Sequence, residues 1–220
     1  TYTVVVHGAT VLSTIIIFWK DIIKLITDLF KFKWNDSTSY LLKIFISMIP
    51  VIIVGLFFKD NVKAFFDGNL IFVGAMLILT SILLALTYYS KVRTKKITYL
   101  DAIIIGIAQA IAVLPGISRS GSTIAVGLLL GNNKEEVAKF SFLMVLIPII
   151  GANMQDILSQ DFSQPSTIGT LPLIIGFVAA FLSGLFACKW MINLVKRGKL
   201  IYFSLYCFII GSIAIFAGVY

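Results

Sequence analysis

Apolar runs about as long as a membrane is thick recur along this chain, and they exclude most folds before any motif is read. A helix needs ~20 consecutive apolar residues to cross the hydrocarbon core of a bilayer. Runs of that kind cover roughly Tyr2–Trp19, Tyr40–Phe58, Leu70–Tyr89, Val137–Leu158, Thr170–Trp190 and Leu200–Tyr220. With 59% hydrophobic and 13% charged residues, the composition lies far from that of a soluble domain. The expected fold is an all-α polytopic membrane protein with about six transmembrane helices in one integral-membrane domain.

The net charge of +8 would suggest nucleic acid in a soluble protein. Here it is expected to mark cytoplasmic loops, and no nucleic-acid partner is expected. Three connections carry the excess: Lys20–Lys43, Lys91–Lys96 and Lys189–Lys199. The first pairs Lys20, Lys24, Lys31, Lys33 and Lys43 with Asp21, Asp28 and Asp36. Its Ile22-Ile23, Leu25-Ile26 and Leu29-Phe30 pairs recur at helical spacing, as in an amphipathic helix lying among headgroups. Lys59–Asn69 is short and charge-balanced, and Ser159–Gly169 is polar with Asp161 and no base, which places it outside.

One stretch breaks the pattern. Asp101 opens an apolar run, Ala102–Val113, interrupted mainly by Gln109, and Leu114 to Ile124 then reads Leu-Pro-Gly-Ile-Ser-Arg-Ser-Gly-Ser-Thr-Ile. A second run, Ile124–Leu130, ends at Gly131. Arg119 is the only full charge between Asp101 and Lys134. Pro115 should end the arriving helix, and each flanking run is too short to span. A re-entrant hairpin satisfies both facts.

Parity points the same way. If the first span runs out-to-in, the three basic connections all lie inside and the Ser159 loop outside, provided that one crossing separates Lys96 from Ser159. The fourth span supplies that crossing, so 101–131 must enter from the cytoplasmic side and return to it. The second half, 100–220, is then a hairpin and three spans beginning inside. The first half, 1–99, is three spans beginning outside. Inverted repeats about a midplane axis have this form. They predict a partner hairpin entering from outside, N-terminal to Thr1 and beyond this sequence.

The chemistry of the break favours an anion. Gly116 and Gly121 permit backbone turns on either side of Arg119. Ser122 or Thr123 is expected to cap the second helix, leaving free N–H groups and a positive dipole end in the loop. The Arg119 guanidinium adds a planar fork suited to two phosphate oxygens. The plain alternative is a solvated Ser/Gly loop whose arginine snorkels to the interface. His7 is expected to be packed or interfacial rather than a metal ligand or proton carrier. Cys188 and Cys207 match no metal or redox spacing and are read as unpaired packing residues.

On these residues the chain resembles the undecaprenyl-diphosphate phosphatases of the BacA/UppP type, over nearly its whole length. The resemblance is carried by Val6-His7-Gly8-Ala9-Thr10-Val11-Leu12 through Phe18-Trp19-Lys20-Asp21, by Asp101 through Ala110, by Ser141-Phe142-Leu143 leading to Pro148, and most specifically by Pro115 through Ile124. It implies a multi-pass phosphatase of the bacterial cell membrane with two inverted repeats and two re-entrant hairpins. That enzyme would hydrolyse undecaprenyl diphosphate to undecaprenyl phosphate, recycling the lipid carrier of peptidoglycan synthesis and giving bacitracin resistance. It implies diphosphate binding by Arg119, with Ser118, Ser120 and Thr123 nearby. The catalytic set is therefore Arg119, Ser118 and Ser120, and the substrate-binding set Gly116, Gly121, Ser122, Thr123 and Gln109. The family's second motif, a Glu-x-x-x-Glu-Phe-Leu-Pro run followed by Ser-Ser-x-Gly-His, has no counterpart here. These 220 residues alone are therefore expected to bind a diphosphate poorly and not to turn it over.

Membrane lipids and a polyprenyl diphosphate are the expected partners. A divalent cation (Mg²⁺ or Ca²⁺) and a homodimer are open expectations. The competing reading is a transporter or flippase of polyprenyl phosphate lipids, since inverted repeats around an anion loop also suit alternating access.

Overall fold

A computed structural model describes residues 2–31, 34–58, 62, 65, 68–90, 94–159 and 169–219. Lys33, Lys59, Asp60, Lys63, Asp67, Lys91, Arg93 and Asp161, on which parts of the charge reading rest, lie outside the described residues. The described elements are helices: α1 (Tyr2–Ile17), α2 (Trp19–Leu29), α3 (Asp36–Phe57), α4 (Leu70–Leu86), α5 (Tyr99–Ile111), α6 (Arg119–Leu129), α7 (Lys134–Ser159), α8 (Thr170–Lys196) and α9 (Ile201–Val219). A 3₁₀ turn, Thr87–Tyr89, extends α4. No strand occurs among the described residues; an isolated bridge pairs Lys95 with Asn132.

Among the described residues, four helical stretches are long and apolar enough to cross a membrane: Asp36–Phe57, Leu70–Tyr89, Leu171–Lys196 and Ile201–Val219. With α1 and α7 they match the six expected runs in position. α1 has 16 residues, and α7 carries Glu135 and Glu136 in its first turn. α3 runs unbroken through Pro50. The membrane-facing character is visible in what remains uncovered. Leu171 is 68% exposed, Phe186 70% and Phe216 67%, surfaces that only a lipid solvent tolerates.

The chain forms two compact units. The first comprises Thr1–Thr38 and Phe142–Asn193. Inside it, α1 and α8 approach closely where Gly184 faces Ser13: a Cβ on Gly184 would lie 2.5 Å from the Ser13 Oγ. Phe18 packs on Phe142 with ring centroids 5.7 Å apart. α2 has no buried residue and leaves Ile23, Ile26 and Leu29 exposed on one side, as an interfacial amphipathic helix would. His7 is exposed on α1. Cys188 is buried in this unit and Cys207 in the other, and both are free thiols.

The second unit, Ser39–Ser141 with Leu194–Tyr220, contains the polar break. α4 and α9 pack at backbone distance. A Cβ on Gly74 would lie 2.7 Å from the Gly211 carbonyl oxygen, and one on Gly211 would lie 2.8 Å from that of Gly74. Small residues at such a crossing let van der Waals contact hold the pair where no hydrophobic effect operates. Further along the same pair, the Ser204 hydroxyl donates to the Ser81 carbonyl at 2.7 Å, satisfying its polarity inside the bundle.

Candidate active-site loop

α5 and α6 form the hairpin. Their 13 and 11 residues amount to about 20 and 17 Å of rise, well short of a ~30 Å hydrocarbon core. Both ends of the hairpin are tied together. The Asn133 N–H donates to the Lys95 carbonyl at 2.9 Å, the Ile97 N–H to Glu136 Oε1 at 3.2 Å, and the Ser90 hydroxyl to the Leu128 carbonyl at 3.0 Å. A segment whose entry and exit are hydrogen-bonded to each other starts and finishes on one side. The re-entrant geometry expected from parity is therefore present in the fold.

Local chemistry fixes each end. Thr98 and Asp101 form a reciprocal capping box: the Asp101 N–H donates to Thr98 Oγ1 at 3.2 Å and the Thr98 N–H to Asp101 Oδ2 at 2.9 Å. Lys95 Nζ adds an ion pair to Asp101 at 2.9 Å. Burial by itself would push the Asp101 carboxyl up. The Thr98 N–H, the Lys95 ammonium and the Thr98 hydroxyl outweigh it and hold the group below the usual carboxylate value. This Thr-x-x-Asp signal stands in the sequence ahead of an apolar run, where it marks a helix N-terminus. α6 ends in a Schellman motif: Gly131 at φ +84, its N–H donating to the Leu128 carbonyl and the Asn132 N–H to that of Gly127.

Between the helices, Leu114-Pro115-Gly116-Ile117 makes a tight turn. Proline sits at its second position, Gly116 at its third with φ +93, and the Ile117 N–H closes it on the Leu114 carbonyl at 3.3 Å. This is the type II pattern that Pro-Gly encodes. α6 then begins at Arg119.

The expected cap is corrected here. Ser118 caps α6, its side chain accepting from the Gly121 N–H at 3.2 Å; Ser122 and Thr123 do not. The reason is local: Gly121 has no Cβ, and one placed there would lie 2.8 Å from the Ser118 Oγ. Ser122 and Thr123 lie a turn later and are buried at 3% and 1% exposure. Thr123 donates back to the Arg119 carbonyl at 3.0 Å and shares a hydrogen bond with Ser141 of α7. Gln109, 1% exposed, lies on the α5 side that meets α3, with its amide 3.9 Å from Met48 Sδ. These three stand behind the loop. Arg119, Ser118, Ser120 and Gly116 stand in it.

The consequence is a defined set of donors. The first N–H groups of a helix have no partner within it. Here the Ser118 N–H donates to Thr80 Oγ1 at 3.2 Å, the Gly121 N–H goes to Ser118 Oγ, and the Ser122 N–H to the Ser118 carbonyl. The N–H groups of Arg119 and Ser120 are left at the positive end of the dipole. The Arg119 side chain is exposed, and no carboxylate among the described residues stands within ion-pair distance of it. Two helix N–H groups, a guanidinium and the Ser120 hydroxyl thus belong to adjacent residues at the start of α6, a set of donors suited to a phosphate.

No group of three or more His, Cys, Asp or Glu among the described residues is placed to hold a metal ion. Ala102 to Gly131 holds no Asp, Glu or His, so the oxygen atoms that the loop could offer a divalent cation are the neutral ones of hydroxyls and carbonyls.

The family model "Bacitracin resistance protein BacA" matches residues 1–213. An undecaprenyl-diphosphatase of Bacteroides fragilis is 56% identical over 217 residues, covering 97% of this chain and 82% of the relative. One from Christiangramia forsetii is 51% identical over 214 residues, 97% of this chain and 81% of the relative. One from Methanococcus vannielii is 41% identical over 218 residues, 98% and 84% respectively. The chain belongs to the BacA family.

Proposed function

We propose that this chain belongs to an undecaprenyl-diphosphatase, with the Ser118-capped N-terminus of α6 as its diphosphate cradle. The supporting observation is the donor set at Arg119 and Ser120, left without partners among the described residues at the tip of a re-entrant hairpin. Water attacks the terminal phosphorus, a new P–O bond forms, and the bond to the bridging oxygen breaks. That oxygen leaves with the lipid phosphate, and inorganic phosphate is released. Charge grows on the phosphoryl and bridging oxygens, and fixed donors aimed there lower the barrier most.

In this reading Arg119 grips two phosphoryl oxygens, and its N–H, with that of Ser120, binds a third. The Ser120 hydroxyl donates to the same group, and Ser118 holds the helix end in shape. Gly116 and Gly121 let the backbone approach. Ser122, Thr123 and Gln109 brace the loop from the buried side. No Asp, Glu or His occurs from Ala102 to Gly131, so the loop supplies charge stabilisation and leaves proton transfer to groups elsewhere.

A groove of about 450 Å³ adjoins the loop, lined by Pro50, Ile53, Val54, Ile107, Ile111 and Leu114 among other apolar residues. Its volume falls in the range of small-molecule sites, roughly 300–1,000 Å³. Because Leu114 directly precedes the Pro115-Gly116 turn, the first isoprene units of the substrate are assigned to this groove.

The test is phosphate release from undecaprenyl diphosphate by the complete gene product and its Arg119→Ala variant. Release that collapses in the variant supports the assignment. Movement of the lipid without release, in a folded protein, would overturn it in favour of transport.

A further inference from the structure

We infer that Thr80, in the middle of the α4 membrane helix, is the positioning residue that sets the cradle's donor pattern. This inference rests on the proposed diphosphate site and concerns how that site is held. Thr80 is fully buried. Its hydroxyl donates to the Met76 carbonyl at 3.0 Å. That consumes its one proton and directs a lone pair at the Ser118 N–H, 3.2 Å away. The polarity of the contact is thereby fixed: Thr80 can only accept from the loop.

Two further contacts make α4 a floor for the loop rather than a neighbour at one point. A Cβ on Gly116 would lie 2.4 Å from the Val73 carbonyl oxygen and 3.0 Å from the Met76 Cβ. One on Gly121 would lie 3.6 Å from Thr80 Cγ2. Val73, Met76 and Thr80 fall at i, i+3 and i+7, one stripe of the helix. α4 meets α9 along a second stripe through Gly74 and Ser81. The loop is thus seated on a helix that is itself backed at van der Waals distance.

Thr80 also decides which N–H groups are free. If the Ser118 N–H lost its acceptor it would be buried and unpaired, and it would seek the anion or an altered backbone. Either change re-aims the N–H groups of Arg119 and Ser120. The tail governs ground-state binding, whereas the placement of N–H donors matters most as charge develops. The expected signature is therefore in kcat rather than KM.

Thr80→Val keeps the shape and removes the acceptor; Thr80→Ser restores the hydroxyl. In the full-length protein with undecaprenyl diphosphate, Thr80→Val should lower kcat about ten- to hundredfold with KM within about threefold of wild type. Thr80→Ser should retain kcat within about threefold, and hydrogen exchange at the Ser118 amide should be slow in wild type and Thr80→Ser and fast in Thr80→Val. Should Thr80→Val not fold, Thr80→Ala against Thr80→Ser gives the same comparison. A Thr80→Val enzyme with wild-type kcat, or a Thr80→Ser enzyme as impaired as Thr80→Val, would overturn the inference. Its failure differs from failure of the site itself, which shows as full activity in Arg119→Ala whatever Thr80 does.

Discussion

Gly116 lies so close to Val73 that a single added carbon would stand 2.4 Å from the Val73 carbonyl oxygen. The turn that makes the cradle and the membrane helix beneath it therefore meet backbone to backbone. With φ at +93, Gly116 also occupies a conformation that other residues avoid. Gly116→Ala should cost on the order of 2–4 kcal/mol locally, from the backbone penalty plus overpacking. The expected result is a loop lifted from α4, with phosphate release down at least about a hundredfold and unfolding temperature lowered by only a few degrees. Release at the wild-type rate would show that the close approach is not needed.

Arg119 faces no carboxylate among the described residues, so its fork is available to ligand. Arg119→Lys keeps the charge and loses the bidentate geometry; kcat/KM is expected to fall about 10- to 100-fold, and Arg119→Ala about a thousandfold. Phosphate release measured over a range of substrate concentrations checks the order of the two. A lysine variant as active as wild type would mean that charge alone suffices.

Asp101 links the hairpin's entry to Lys95 and Thr98. Its folded pKa is depressed, so its contribution is present above the usual carboxylate value of about 4 and is lost as pH falls through the lower folded value. Unfolding temperature in detergent should carry no Asp101-dependent change between about pH 8 and pH 5. Asp101→Asn should cost about 1–2 kcal/mol at pH 7, chiefly through the cap, since the half-exposed Lys95 is screened by solvent. The gap between variant and wild type should close below about pH 4. A gap that persists in acid would locate the effect elsewhere.

Gly211 on α9 faces Gly74 on α4, and neither has room for a side chain. Gly211→Leu should separate the helices and destabilise the protein by about 2–4 kcal/mol, read as a lower midpoint on heating in detergent. Activity should fall with it, because α4 carries Thr80 and the Gly116 seat. An unchanged midpoint would refute this account of the packing.

What the sequence determined by itself was whatever depends on local chemistry or on counting. Apolar runs gave the spans in position, because a helix must satisfy its own backbone in lipid. Pro115-Gly116 gave the break, and short flanking runs and parity gave the re-entrant path. Residue type does not settle the cap: Ser118, Ser122 and Thr123 are equivalent in that respect, and the absence of a Cβ on Gly121 selects Ser118. That Gln109, Ser122 and Thr123 are buried, with Gln109 against Met48 and Thr123 against Ser141, is visible only in the fold. Thr80 carried no signal at all. One threonine in a membrane span is unremarked until the fold brings it to a backbone N–H 38 residues away. Such contacts belong to tertiary structure because they depend on which face of one helix meets which turn of another.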